Sequence, residues 1–279
     1  MSVSRPGLGA LARSHPPSLW WRITPVRPAH AARVISRNVR VYRRGWIFIA
    51  SGFAEPFLYL LSIGVGLGHL VGDVRVSGRV VTYAQFVAPG LLAAQAMNGA
   101  IFDTTFNLFH KLKYAHTYEA VLATPISPAE VTLGEIGWAL MRGTVYGAAF
   151  LGVMAGLGMI LSPWALAGLP VAMLVSLTFA SLGTAVTSYL RSWQDVDTAA
   201  LALLPLFLFS GTFYPLRLYP AWLAWVVRVS PLYQGVAVLR ALDVGVLSWT
   251  MAAHVAELVV ISLAAIAVAA RRMRRLLAP

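Results

Sequence analysis

Six stretches of this chain, at about 46–70, 83–108, 135–160, 165–190, 198–214 and 246–270, are apolar over roughly the length a bilayer demands. A helix needs about 20 apolar residues to cross a hydrocarbon core of about 30 Å. In that solvent every backbone N–H and C=O must find its partner inside the protein, so lipid-facing loops and open sheet edges are excluded. The fourth stretch contains no Asp, Glu, Lys or Arg, and Pro163 leaves room only for a tight hairpin between the third and fourth. Only 11% of residues are charged and the mean hydropathy is +0.72, against about 25% charged in a soluble domain. The sequence predicts an all-α integral membrane protein of six transmembrane helices with no long soluble domain.

A formal net charge of +12 would point to nucleic acid in a soluble protein. Its distribution here points to topology. Nine Arg lie between Arg5 and Arg44, and four more close the chain at Arg271, Arg272, Arg274 and Arg275. With six spans and both termini cytoplasmic, Lys111, Lys113 and Arg191 join them, placing 16 of the 22 basic residues inside. Arg75, Arg79, Arg217, Arg228 and Arg240 then fall outside or near that face, and Arg142 lies within a span; the bias follows the positive-inside rule. No nucleic-acid partner is expected; the lipid bilayer is. Residues 1–30, with Pro16, Pro17, Pro25 and Pro28 among their prolines and no apolar run of signal-peptide length, read as a flexible cytoplasmic tail without a cleaved signal. Residues 271–279 read as a basic cytoplasmic tail, and 46–270 as the transmembrane domain between them. Arg33, Arg37, Arg40 and Arg44 recur at helical spacing, with Val34, Ile35, Val39 and Tyr42 toward the other side, which predicts an amphipathic interfacial helix over 31–45. A plain topology anchor would look the same.

The fifth apolar run does not finish as a span should. It breaks at Ser210-Gly211, and Pro215, Pro220 and Pro231 follow, interleaved with Tyr214, Tyr219, Trp222, Trp225 and Tyr233. Proline removes a backbone donor, and Trp and Tyr gather at the interface. Non-helical backbone at that depth must be buried in protein or line a wet cavity. Between the second and third spans, His110–Ile136 is the longest polar connection; Tyr118 to Leu122 is helix-compatible, Thr124-Pro125 ends it, and Ser127 and Glu130 are spaced as a capping box for the next helix.

Three motifs carry a resemblance. F-x-F-S-G-x-x-Y-P at 207–215 with P-x-W and then P-L-Y before an Arg, the run Glu119, Leu122, Ala123, Thr124, Pro125, Ile126, Ser127, and E-P-x-x-Y-L at 55–60 with Gly64, Gly66 and Gly68 are similar to ABC type-2 exporter permeases, the last to the nodulation J branch, whose members export lipo-chitooligosaccharides. The resemblance spans the chain from about Arg33 onward. It implies a coupling helix with Tyr118, Glu119, Leu122, Thr124 and Pro125 facing a separate ATPase subunit, flanked by the interfacial helix. Thr117-Tyr118 stands where the family usually has Gly-Thr. It implies also a broken re-entrant element before the last span, capping the outer mouth, with Ser210, Gly211, Tyr214, Pro215, Pro220 and Pro231 as an outer gate. Two permease subunits, identical or not, would join two ATPase subunits that bind ATP and Mg, in a bacterial-type cytoplasmic membrane. No cofactor is expected in this chain and no covalent step; substrates would be drugs, glycolipids, lipooligosaccharides or polysaccharides. Glu55, Tyr59, Asn98 and Phe213, on the first, second and fifth spans, are the pathway candidates.

Absences narrow the chemistry. The chain has no Walker motif, no G-x-S-x-G elbow, no H-E-x-x-H and no Cys. Gly64, Gly66 and Gly68 lack the βαβ setting of a dinucleotide site and read as helix packing. Asp195 and Asp197 beside Arg191 read as a solvated turn. Intramembrane ionisable residues mark function by default: Glu55, Asp103, Glu135, Arg142, His254 and Glu257. Glu135 and Arg142 are two turns apart, too far to pair directly, so pairing across helices is expected; His254 and Glu257 are three apart and within reach. A proton-coupled secondary transporter using Glu55, His254 and Glu257 is the alternative reading, and a membrane-embedded transferase or scaffold a third. The missing internal repeat counts against the secondary transporter.

Overall fold

The computed structural model describes residues 27–42, 57–62, 66–76, 78–115 and 117–277. Most of the expected N-terminal tail and of the first span, with Arg44, Glu55, Pro56 and Gly64, lies outside the described residues.

The chain enters through α1 (Pro28–Tyr42). Its buried stripe is His30, Val34 and Asn38, the four-residue spacing of one helix face. Val39 is 41% exposed, so the expected grouping of Val34 with Val39 is not the one used. Asn38 takes the inward position because its side chain reaches Glu135 of α5; a satisfied polar contact outweighs an exposed valine.

Two short strands, β1 (Asp73–Val76) and β2 (Arg79–Thr82), pair antiparallel with Val76 opposite Arg79, a small ribbon in an otherwise helical protein. In β1 the half-buried Val74 and Val76 alternate with exposed Asp73 and Arg75, which suits a half-buried ribbon, and Gly78, at φ +84°, supplies the tight turn. Thr82 then caps α2 (Tyr83–Phe102) through a reciprocal capping box with Gln85.

Helix α2 runs through a π-helical segment, Asp103–Asn107, into α3 (Leu108–Lys113). A π segment displaces carbonyls from the regular ladder; here the Thr187 hydroxyl donates to the Thr104 carbonyl at 2.6 Å. A short helix, α4 (Thr117–Leu122), precedes α5 (Pro128–Gly156), which opens on the Ser127–Glu130 capping box expected from the sequence. A 3-10 turn, Pro163–Ala167, leads into α6 (Gly168–Thr187). Helices α2, α5 and α6 form the core, and they approach at backbone distance: a Cβ on Gly143 would lie 2.1 Å from Ser176 Oγ and 2.7 Å from the Ala96 carbonyl oxygen. Small residues at such crossings let dispersion replace the hydrophobic drive that lipid removes.

Helix α7 (Trp193–Leu208) is capped by Ser192 and Asp195 and stops after Leu208; Val196 is its one buried residue. After the break come α8 (Ala221–Val229) and α9 (Pro231–Val244), bent by 86° to each other. Pro231 sits at the first position of α9 and has no N–H to continue α8. Last, α10 (Trp249–Leu277) packs along α6 and α9 and carries its helix through the basic residues read as a tail.

Among the described residues three helical stretches are long and apolar enough to cross a membrane, Pro128–Gly156, Pro163–Thr187 and Trp249–Leu277, or four if the bent α8–α9 pair is one span. The six-span expectation is met only to that extent. The polar Gln85, Gln95 and Asn98 dilute α2, and α7 breaks after 16 residues.

Candidate functional site

Three places gather the residues singled out from the sequence. The first is the inner end of α5. Glu135, buried, accepts from Lys111 Nζ at 2.7 Å, Asn38 Nδ2 at 3.0 Å and Arg37 Nη2 at 3.5 Å. One carboxylate thus ties α1, α3 and α5. Against it lies Tyr118 of α4, 2% exposed and packed with Leu108, Val131 and Met273. Burial first, and the Glu135 carboxylate second, push the Tyr118 phenol well above its ordinary pKa, so it stays a donor. A turn below, Glu130 accepts from the amides of Ser127 and Arg27, both at 2.7 Å, and meets His30 Nδ1 at 3.2 Å.

This packing divides the expected coupling residues. Tyr118 is buried and Leu122 half-buried, holding α4 to the bundle, whereas Glu119, Ala120, Ala123, Thr124 and Pro125 form an exposed edge. The turn is closed internally, with Thr124 Oγ1 donating to the Val121 carbonyl at 2.6 Å and the Ile126 amide to the Thr124 carbonyl at 2.7 Å.

The second place is the break after α7. Ser210 and Thr212 are fully buried and share a hydrogen bond of 2.7 Å; Ser210 also donates to the Phe207 carbonyl at 2.7 Å. Gly211 has φ +73°, where an L side chain is strained, and a Cβ there would meet Tyr233 at 3.2 Å. Tyr83 of α2 donates its hydroxyl to the Phe213 carbonyl at 3.2 Å. Tyr214 is 57% exposed, Pro215 half-buried and Pro220 exposed ahead of α8. Sequence reasoning marked the Arg after P-L-Y but placed it only in a charge count. Arg240 donates to the carbonyls of Phe86, Gly211 and Thr212 at 3.0 to 3.3 Å, with its guanidinium carbon 4.0 Å from the Phe86 ring centroid. No motif at Phe86 could have named that partner, since a carbonyl acceptor leaves no trace in the sequence.

The third place is a pair of cavities. One, of about 210 Å³, is lined by Tyr59, Leu91, Met97, Asn98, Leu203 and Phe207. The other, of about 440 Å³, lies between the hairpin and the break and is lined by Asp73, Arg75, Tyr83, Phe213, Tyr214 and Arg217. Tyr59 and Asn98 therefore share one cavity, and Phe213 faces the other.

Of the remaining ionisable residues, Asp103 and Arg142 pair across helices, as expected. Arg142 Nη1 sits 3.0 Å from Asp103 Oδ2, with both side chains buried, and Arg142 Nη2 donates to Tyr146 at 3.1 Å. His254 Nδ1 contacts Gln234 Oε1, and its ring meets Tyr233 edge to face; Glu257 is half-buried a turn away. Asp195 serves as a cap, and backbone hydrogen bonds from Arg191 and Ser192 hold its carboxyl below the usual range.

Comparison with known proteins agrees with this arrangement. Residues 31–243 match the family model of the ABC-2 type transporter. The chain is 33% identical to nodulation protein J of Rhizobium leguminosarum bv. trifolii over 216 residues, 74% of this chain and 81% of that protein. It is 31% identical to nodulation protein J of Bradyrhizobium diazoefficiens over 261 residues, 90% and 97% of the two chains. With the inner membrane transport permease YadH of Escherichia coli it shares 22% identity over 205 residues, 71% and 76% of the two. A helical bundle with apolar spans, the S-G break and the T-P-I-S turn in place, and a match over most of its length, make this chain a member of the ABC-2 type transporter family.

Proposed function

We propose that the chain is the permease subunit of an ATP-driven exporter, with two copies of it or of a related permease joined to two separate ATPase subunits that bind ATP and Mg. The carrying observation is the exposed edge Glu119, Ala120, Ala123, Thr124, Pro125 on a short helix whose other side is anchored by Tyr118. A lever of this form transmits force: its exposed outer edge seats in a groove on the ATPase, and its inner side bears on Glu135, which holds α1, α3 and α5 together. Both termini and this edge are assigned to the cytoplasmic face, and the S-G break to the outer face of the plasma membrane.

The substrate is assigned as an amphipathic or lipid-linked molecule. Both cavities offer aromatic and apolar walls with a few polar groups, the usual lining of a small-molecule site. Helix α7, which buries only Val196 within its own chain while Leu201 and Leu204 are more than half exposed, supports a second permease subunit packed along it.

The test is Ala123→Arg, a charge on the exposed edge that leaves the buried anchor intact. Loss of the co-purifying ATPase and of ATP-dependent export, with an unchanged melting midpoint, is expected. Normal co-purification and export would refute the coupling assignment. Gly211→Leu tests the outer break separately: export should stop while the ATPase stays bound.

A further inference from the structure

The two cavities meet at one pair of rings. Phe207 lines the cavity of Tyr59 and Asn98, Phe213 lines the cavity beside the hairpin, and their centroids are 5.2 Å apart in a T-shaped contact. The hydrogen-bond ladder of α7 does not fix the Phe213 backbone, because the helix has ended at Leu208 and the backbone beyond it runs through bends to Tyr214. Its position is imposed from α2 and α9. Thr212 lies against Gly90 so closely that a Cβ on Gly90 would approach the Thr212 Cα to 2.9 Å. Tyr83 holds the Phe213 carbonyl, and Arg240 holds the carbonyls of Gly211 and Thr212. The same guanidinium donates twice to the Phe86 carbonyl on α2 and lies over the Phe86 ring.

Carbonyls past a helix end have no partner in their own ladder, and at membrane depth water cannot replace one. A planar guanidinium with five donors serves several carbonyls at once, whereas a lysine ammonium cannot match that fork or stack on the ring.

We propose that Arg240 is a positioning residue for transport: it straps the break to α2 and thereby holds the Phe207–Phe213 partition shut between the two cavities. The inference rests on reading the break as the outer closure. Opening the partition requires either that Arg240 release the Gly211 and Thr212 carbonyls or that α2, the break and α9 move together.

The chain has no Cys, so Asn98→Cys places a single thiol behind the partition in the full-length protein. In right-side-out membrane vesicles a charged, membrane-impermeant maleimide should label this thiol slowly. With Arg240→Lys added, labelling should rise by about tenfold, the effect of losing one charge-assisted hydrogen bond from the closed state. A thiol at Ala139, fully buried in the core, should stay unlabelled in both backgrounds. An unchanged rate at Asn98→Cys overturns the proposal, and so does an equal rise at Ala139→Cys, which would mean the whole bundle has loosened. If Arg240 variants do not yield monodisperse protein, Phe86→Leu removes the ring under the guanidinium and leaves its hydrogen bonds. Faster labelling then supports the strap and an unchanged rate refutes it. The two readings fail differently. Normal export by Gly211→Leu, with faster labelling in Arg240→Lys, removes the gate and keeps the strap; blocked export with unchanged labelling removes the strap alone.

Discussion

Replacing Arg142 by Met should be among the most damaging single changes in the bundle, and replacing both members of its ion pair should be much milder. Arg142 lies 3.0 Å from Asp103, with side-chain exposures of 7% and 3%. It is also within 5.2 Å of the Phe102 ring centroid and 5.4 Å of that of Tyr146. Removing one partner of a buried pair leaves an uncompensated charge and costs about 3–5 kcal/mol. Asp103 keeps the Asn107 amide at 2.5 Å, which argues for the lower part of that range. With about 2–4 °C per kcal/mol for a larger domain, Arg142→Met should lower the melting midpoint in detergent by about 6–12 °C. The double variant Asp103→Asn with Arg142→Met removes both charges in nearly the same volume and should recover at least about half of that loss. A thermal-shift series on the four proteins of the cycle measures it. If the double variant melts as low as Arg142→Met or lower, packing of the long side chain, and not charge burial, dominates the site, and the reasoning is refuted.

Other changes test separate parts of the structure. Gly143→Ala sets a Cβ against Ser176 Oγ and the Ala96 carbonyl and should cost about 1–3 kcal/mol; adding Ser176→Ala should restore only part, because the backbone contact remains, and full restoration in a melting assay would count against the crossing described. Gln95 is fully buried and neither of its amide atoms has a partner among the described residues, so Gln95→Leu should stabilise by about 1–3 kcal/mol, and a lower melting midpoint would reveal a contact that the amide makes. Ser127→Ala removes the cap of α5 and should cost about 1 kcal/mol, read as a small fall in midpoint with export retained; an unchanged midpoint would show that Glu130 alone sustains the helix start.

Local physical chemistry made several parts of this protein legible in its sequence. Apolar length and scarcity of charge marked spans at about 135–160, 165–190 and 246–270, which fall on the helical stretches Pro128–Gly156, Pro163–Thr187 and Trp249–Leu277. The Ser127–Glu130 pair announced the start of α5, and Ser210-Gly211 with the prolines announced the break, because caps, φ > 0 and missing donors act within a few residues. The hairpin Asp73–Thr82 was missed for the opposite reason. Two four-residue strands between long apolar runs carry too little periodic signal to stand out.

Which partners meet was settled by tertiary structure alone. Sequence spacing could say that Glu135 and Arg142 do not pair with each other, but not that Lys111, Arg37 and Asn38 converge on one and Asp103 on the other. It could set Val39 opposite the arginines of α1, but not foresee that Asn38 would take the buried position to reach Glu135. Arg240 is the sharpest case. Its acceptors are backbone carbonyls 28, 29 and 154 residues away, and every residue type carries a carbonyl, so the contact exists only once α2, the break and α9 have been brought together. Composition and spacing determined that this chain lives in a membrane, where α5 begins and where the chain breaks after α7. The packing of those helices decided which charges are paired, which face of α4 is left exposed, and what holds the break in place.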